Sequence, residues 1–428
     1  MILRIPNINN LGEILRKLGL ILILLALVMS VNSYAGDVDV SGQIRYRFEM
    51  NNKDFNDDTA GNNYAFLRSR LGLKFEPTDD VTAFVQVQDS RTTGEEGSTL
   101  GDGSADMMDF HQAYVTINNL HGHDMSLSVG RMEVKYGGER LMGAVGWHNV
   151  GRSFDGLKLG LNLGMASVDL FNFKTMEGNA SADSSDSNVY GVHADLDIGA
   201  GTTQAFLIHE QNKPAVESPM AKNLSTVGLY RKGMVGDALK YELDFGYQMG
   251  TAGVDANGAD VDVAAMMLGV RFKYSMSDMP MSPKLIVGYD MLSGDDGKDE
   301  TENTSFNTLF ATNHKFYGYM DYFLNIPVHA YDRGLNDIVV GLKASPMDDH
   351  WVAVDFHMFS TAQDYTMANG TDMETDLGSE IDITLKRKYN SNVKFMLGYS
   401  MFTPGKIFEE TMGKDSADWL YWMAIINF

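Results

Sequence analysis

The residues best suited to chemistry in this chain are its arginines, and they are not spread evenly. Of the twelve that follow residue 35, eight lie between Arg45 and Arg152. In Arg45-Tyr46-Arg47 and in Arg68-Ser69-Arg70 the spacing is two, so on an extended backbone each pair shares one face. A guanidinium group is planar, stays charged and pairs bidentately with carboxylate, sulfate or phosphate. Four such groups on adjacent strands would form a patch that attracts an anionic solute. The alternative is an arginine wall balanced by Asp39, Glu49 and Glu76, which holds shape and creates a transverse field.

A second group lies in a long connection. Tyr136-Gly137-Gly138-Glu139-Arg140-Leu141 leads through Trp147 and Asn149 to Gly151-Arg152-Ser153-Phe154-Asp155-Gly156. An exposed loop has little use for Trp147 and Phe154 or for a neighbouring Glu139 and Arg140. A loop folded inward would use aromatic packing, tight glycine turns and ion pairs to narrow a channel. Tyr317, Tyr319, Asp321 and Tyr322 belong to a still longer connection and offer ring faces that could stack on sugars; a loop core is the competing use. Weaker signals complete the set. Gly294-Asp295-Asp296-Gly297-Lys298-Asp299-Glu300 has carboxylates for Ca²⁺, although an acidic surface loop explains it as well, and no other cofactor is expected. Asp355 and His357 sit two apart on one face and could serve a hydrolase as orienter and base, yet no serine nucleophile is placed with them.

These residues must be positioned by strands. Val38, Val40, Ile44, Tyr46, Phe48 and Met50 alternate with Asp39, Ser41, Gln43, Arg45, Arg47 and Glu49, a period of two sustained long enough for a tilted strand to cross a bilayer. Leu67, Leu71, Leu73 and Phe75 against Arg68, Arg70, Lys74 and Glu76 repeat it. Alternation alone does not separate a soluble sandwich from a membrane barrel; loop lengths do. Short connections (Pro77 to Asp80, Asn118 to His123, Asn162 to Gly164, Gly199 to Gly201, Lys232 to Asp237, Ser277 to Pro283, Ser345 to Asp349, Tyr389 to Asn392) alternate with long ones (Thr92 to Met108, Glu133 to Gly151, Met176 to Asp186, Gln211 to Met220, Thr251 to Asp260, Gly294 to Arg333, Thr361 to Thr375, Thr403 to Ala417). Short periplasmic turns against long extracellular loops are the asymmetry of an outer-membrane barrel. Nineteen strand-like runs are countable. Assigning Phe316 to Phe323 to its loop leaves eighteen, an even number and enough to enclose water. The expected fold is therefore an all-β, transmembrane antiparallel barrel. Arg131 falls in phase with Met125, Leu127 and Val129 on the lipid face, so it should lie above the bilayer or follow a β-bulge.

The N-terminus agrees with that compartment. Arg16 and Lys17 precede an apolar run from Leu18 to Met29, and Ser33-Tyr34-Ala35 reads as a cleavage site. The run is short for a spanning helix, which needs roughly 20 apolar residues. Residues 1–35 are expected to be a secretory signal peptide and 36–428 a single barrel domain. At the other end Leu420, Trp422, Ala424, Ile426 and Phe428 share a face, and a strand closed by Phe428 resembles the signal read by the barrel-assembly machinery. The net charge of −23 argues against nucleic acid, and no cysteine is present for disulfides or thiolate metal sites. Such an acidic chain suits an outer leaflet of lipopolysaccharide and divalent ions.

Gly130-Arg131, Tyr136-Gly137, Glu139-Arg140-Leu141, Trp147, Asn149 and Gly151 to Gly156 together resemble the signature of the alginate-export family of outer-membrane proteins. Gln88-Asp89-Ser90-Arg91, Gln112-Ala113-Tyr114, Phe316 to Phe323, Asp355-Phe356-His357, Glu380-Ile381-Asp382 and Trp419-Leu420-Tyr421 extend the resemblance over nearly the whole chain. It implies a monomeric, eighteen-stranded channel whose arginine-rich constriction passes an anionic polysaccharide, with Arg45, Arg68, Arg91, Arg131, Arg140 and Arg152 as carried-over positions. One departure is the short turn from Tyr389 to Asn392, where the dedicated alginate exporters of the family have a long one. A porin for anionic solutes is then the broader expectation, with an outer-membrane hydrolase and an adhesive barrel as the readings from other classes.

Overall fold

A computed structural model describes residues 37–95, 108–178, 186–212, 222–255 and 257–428; the expected signal peptide lies outside these. Eighteen long strands form the wall: β1 Asp37–Asn52, β2 Asn62–Thr78, β3 Val81–Thr92, β4 Met108–Ile117, β5 Met125–Met132, β6 Phe154–Asn162, β7 Ala166–Met176, β8 Ser187–Leu196, β9 Thr202–Asn212, β10 Lys222–Val235, β11 Leu239–Val254, β12 Asp260–Ser275, β13 Lys284–Leu292, β14 Leu335–Met347, β15 His350–Thr366, β16 Met373–Lys388, β17 Val393–Pro404 and β18 Ala417–Asn427. Each pairs antiparallel with its neighbours in sequence, and β1 pairs with β18 from Gln43↔Asn427 to Asn52↔Asp418, which closes the sheet. Closure gives every spanning strand a partner on both sides, the requirement lipid imposes on backbone N–H and C=O groups. At the seam Phe428 and Gly42 exchange both backbone hydrogen bonds, and the Phe428 ring occupies the space a Cβ on residue 42 would fill.

Alternation places the two faces as expected of a membrane barrel. Ile44, Tyr46, Met50, Leu71, Val129, Leu157, Leu207 and Phe245 are among the large apolar side chains exposed on the outside. Arg45, Arg47, Glu49, Arg68, Asp244, Asp290 and Asp337 are buried on the inside. By the short-long asymmetry, the start of β1 and the end of β18 share the periplasmic side.

The nineteenth strand-like run is not a wall strand. Phe316 to Phe323 is irregular chain inside the longest loop, as its assignment there requires. An extra two-residue strand, Glu302–Asn303, instead pairs in parallel with Asp262 and Val263 of β12. Some strands also outrun their apolar pattern. β10 continues to Val235, so that turn is only 236–238, and β15 and β16 reach Thr366 and Met373, leaving 367–372 between them. Beyond the bilayer on either side both faces of a strand are wet, so no alternation marks its extension there. The β1–β2 connection, 53–61, is one further long loop.

Eighteen strands enclose a lumen too wide for wall side chains to fill, and the long loops fill its outer half. Phe55 from the first loop, Tyr322 and Phe323 from the 293–334 loop, and Phe408 from α1 (Lys406–Thr411) meet Phe359 of β15 and Phe402 of β17. Phe55, Phe323, Phe402 and Phe408 are each 2 % exposed or less. Burying one such ring stabilises by about 1.5–3 kcal/mol. The mouth is therefore packed like a soluble core inside a membrane barrel.

Candidate functional site

The loop from Glu133 to Ser153 turns into the lumen and is held at both ends. On one side stand β1 and β2, with Arg45 directly opposite Arg68 in register. Arg45 donates to the carbonyls of Gly146 (3.0 Å) and His148 (3.2 Å) and to Asn149 Oδ1 (3.2 Å). Arg68 donates to the same two carbonyls (3.2 and 3.1 Å) and to Gln43 Oε1 (2.6 Å). Arg47 donates to Trp147 O (2.7 Å) and pairs with Glu49 (2.6 Å). Arg70 reaches Val150 O (2.9 Å), Gln88 (2.6 Å) and Glu133 (3.2 Å). Gly151 turns at φ +86°, and a Cβ there would stand 2.8 Å from the Arg70 guanidinium, so this close approach needs glycine.

The charges on this wall are balanced unequally. Arg47 and Arg70 have carboxylate partners. Arg45 and Arg68 have none among the described residues, and the Nε of each is without any hydrogen-bond partner. Their field registers on His148: burial first, then Arg47 and Arg45, push its imidazole below the ordinary range and keep it neutral. Glu133 goes the other way. Burial would raise it, but hydrogen bonds from His111 and Lys135 and the charges of Lys135 and Arg70 bring it down to about 2.

Across the lumen the wall is acidic. Asp244 (β11), Asp290 (β13), Asp337 (β14), Asp355 (β15) and Glu380 and Asp382 (β16) all point inward and are buried. The same loop reaches them through Arg140, which pairs with Asp290 (2.7 Å) and Asp244 (3.2 Å), donates to Tyr317 Oη (3.1 Å) and lies 3.9 Å from the Phe316 ring. Burial alone would lower the pKa of Arg140; Asp290, Tyr317 and Asp244 reverse that and push it up. Arg271 of β12 joins Asp290 (2.5 Å) to Asp337 (3.7 Å), and His357 hydrogen-bonds Asp337 (2.9 Å). Glu380 accepts the backbone N–H of Met320 (2.8 Å), fastening the 293–334 loop to the wall. Gly318 is pressed against that carboxylate at φ +79°, where a Cβ would collide with it.

Between the walls the two inward loops stack ring on ring. Trp147 lies over His314 (4.4 Å), His314 over Tyr319 (5.2 Å), and Arg47 over the Trp147 ring (4.5 Å). Asp321 fixes His314 through Nδ1 (2.6 Å).

The structure divides the residues singled out from sequence. Arg45, Arg47, Arg68, Arg70, Arg140, Arg152, Glu139, Tyr317, Tyr319 and Asp321 gather in the lumen. Arg91, Arg131 and Asp155 do not. Arg131 lies opposite Asp155 in an unbulged ladder, on the same outer face as Val129 and Leu157, and pairs with Asp155 (2.7 Å) and Asp109 (3.4 Å). Arg91 pairs with Asp89, one parity away from the inward Gln88 and Ser90. Placing these three at the constriction is therefore corrected: they form ion pairs on the outer face near the extracellular rim. The expected pairing of Glu139 with Arg140 also fails. Glu139 accepts from Thr312 (3.0 Å) and pairs with Lys315 (3.4 Å), while Arg140 goes to the acidic wall. Arg152 donates to the carbonyls of Gly143 (3.2 Å), Phe310 and Ala311 (3.2 Å), and burial lowers its pKa. His357 is oriented by Asp337, not by Asp355. In the acidic loop Asp295, Asp296 and Asp299 each accept a backbone N–H two residues on; among the described residues no three His, Asp or Glu side chains come together as a metal site. Asp244, Asp290 and Asp337 of the acidic wall were missed, although their signal is present as inward-parity carboxylates on neighbouring strands.

Comparison with known proteins follows this geometry. A family model described as alginate export matches residues 37–421. No curated protein matches. The fold is similar to the crystal structure of Pseudomonas aeruginosa OccK11 (OpdR), with a TM-score of 0.58 at 12% identity over 92% of this chain and 96% of that one. It is similar also to Acinetobacter baumannii OccAB4 (TM-score 0.59, 12% identity, 93% and 100% covered) and to the P. aeruginosa outer-membrane protein OpdK (TM-score 0.57, 13% identity, 91% and 98% covered).

Proposed function

Because this chain belongs to the alginate-export family of outer-membrane barrels, we propose that it is a channel selective for anionic solutes, without catalytic chemistry of its own. An eighteen-stranded outer-membrane porin architecture accounts for passage of solute. The anion preference rests on one observation: Arg45 and Arg68 face each other across adjacent strands, both buried, with no carboxylate partner among the described residues. In low dielectric, two uncompensated cations act over several ångströms, and they do so beside the backbone of the loop that narrows the lumen. An anion passing that loop is stabilised without having to displace a counter-ion.

Packed loops across the lumen favour small solutes over a threaded polymer. Single carboxylates and acidic sugars are the substrates this arrangement suits, and a uronate polymer would require the loops to move aside.

The test is the reversal potential of single channels in a planar bilayer under a KCl gradient. The protein should prefer chloride, and Arg45→Gln with Arg68→Gln should reduce or invert that preference. A cation-selective parent channel would overturn the reading.

A further inference from the structure

Below the constriction, toward the short turns, lies a cavity of about 490 Å³ whose lining includes Lys284, Lys343 and Lys386, with Tyr319, Trp351 and Thr384. Lys284 of β13 and Lys343 of β14 are direct cross-strand partners, and Lys386 of β16 lies opposite Trp351 of β15. Like charges directly opposite one another destabilise a sheet. One neighbouring acid offsets part of the cost: Lys343 pairs with Asp355 at 3.7 Å, while among the described residues Lys284 and Lys386 have no ion pair. In a chain of net charge −23, three cations that share a single paired carboxylate are unexpected unless something anionic visits them.

We propose that this cavity is a binding station for a carboxylated sugar ring, reached on the periplasmic side of the constriction; this rests on the channel reading above. Lysine ammonium groups supply charge-assisted hydrogen bonds to the carboxylate. Tyr319 comes from the loop above and Trp351 from the wall beside Lys386, so ring surfaces stand next to the cations, suited to the C–H faces of a sugar. Thr384 adds a hydroxyl among them. The volume falls within the roughly 300–1,000 Å³ of ligand pockets, enough for one or two rings. The station sits where a solute leaves or enters the stacked Trp147, His314 and Tyr319, because Tyr319 belongs to both. A second anion site in series lets a solute exchange partners step by step instead of binding once and staying.

The experiment uses the whole protein in planar bilayers, with glucuronate added on the periplasmic side and chloride current recorded. Glucuronate should block, glucose should not, and acetate should block more weakly. The triple variant Lys284→Gln, Lys343→Gln, Lys386→Gln should raise the half-blocking concentration about tenfold, the effect of losing one good charged contact. The matching Lys→Arg triple, which keeps the charges, should stay near the parent and controls for folding. Trp351→Ala should erase the preference for glucuronate over acetate while leaving acetate block in place. Block unchanged by the glutamine triple, or equal block by glucose, overturns the station even if the channel conducts and prefers anions. A protein without conductance overturns the channel reading instead.

Discussion

The two walls of the lumen clamp one loop by opposite means. On β1 and β2 the wall supplies cations and the loop supplies carbonyl oxygens. On β11, β13 and β14 the wall supplies carboxylates, and the loop brings the cation, Arg140. The second arrangement is compensated: Arg140 has Asp244 and Asp290, Asp290 has Arg271, and Asp337 has His357. The first is not, since Arg45 and Arg68 end on neutral acceptors. An eighteen-stranded barrel cannot fill its lumen from the wall alone, so its constriction is a bar fixed at both ends by charge. The compensated end supplies anchorage. In the proposed channel, the uncompensated end supplies the field that a passing solute feels.

Breaking the compensated end should have the largest effect. Arg140→Met keeps much of the side chain's apolar volume beside Phe316 but leaves Asp244 without its cation and Asp290 with Arg271 alone. Removing one partner of a buried ion pair costs about 3–5 kcal/mol. We expect the loop to leave the acidic wall, seen as larger and noisier single-channel conductance and a lower denaturant midpoint. Adding Asp244→Asn should recover part of the loss, since it removes one stranded charge. Unchanged conductance would mean that the other clamp suffices.

How much of this contrast could be read in advance depends on periodicity. Strands declare themselves where one face meets lipid, so β1, β2 and the alternation of loop lengths were legible, and so was the arginine wall, whose members sit two apart on neighbouring strands. The carboxylates of the opposite wall stand singly or two to a strand (Glu242 with Asp244, Glu380 with Asp382) and become a group only when the strands from β11 to β16 are laid side by side. Arg91 and Arg131 show the limit from the other direction. Residue type and motif drew both toward the constriction, whereas the parity of Arg131 with Val129 had already placed it outside. The partners of Arg140 were beyond reach of spacing, because they lie 104 and 150 residues away.

A smaller effect sharpens the role of the carboxylates. Among the described residues Glu380 pairs with no cation; its oxygen holds the Met320 N–H at 2.8 Å. Glu380→Ala should leave that buried donor without a partner, at about 1–3 kcal/mol, and loosen the 293–334 loop. Glu380→Gln keeps an acceptor for that N–H, so it should cost less than alanine. Thermal unfolding of the two variants in detergent separates these outcomes; equal losses would show that this hydrogen bond does not hold the loop.

The smallest effect should appear at the uncompensated end, as a pH dependence. His148 is held below the ordinary value of about 6.5 by burial and by Arg47 and Arg45, and its Nδ1 accepts the Val150 N–H (3.2 Å). A group whose folded pKa is lowered takes up its proton more readily when the loop is undocked. The docked loop therefore keeps its full stability above about pH 6.5 and loses it progressively as pH falls below that value. Protonation would place a third cation beside two uncompensated arginines and remove the acceptor Val150 uses. Conductance should then rise as pH is lowered from 7 to 5, with the docked-to-undocked ratio changing by less than about tenfold per pH unit, the ceiling for one proton. His148→Gln, which cannot charge, should flatten the response. A response that survives in His148→Gln would transfer the sensitivity to other groups, and a parent channel with no response would mean that the arginine field at this end is weaker than its missing counter-ions suggest.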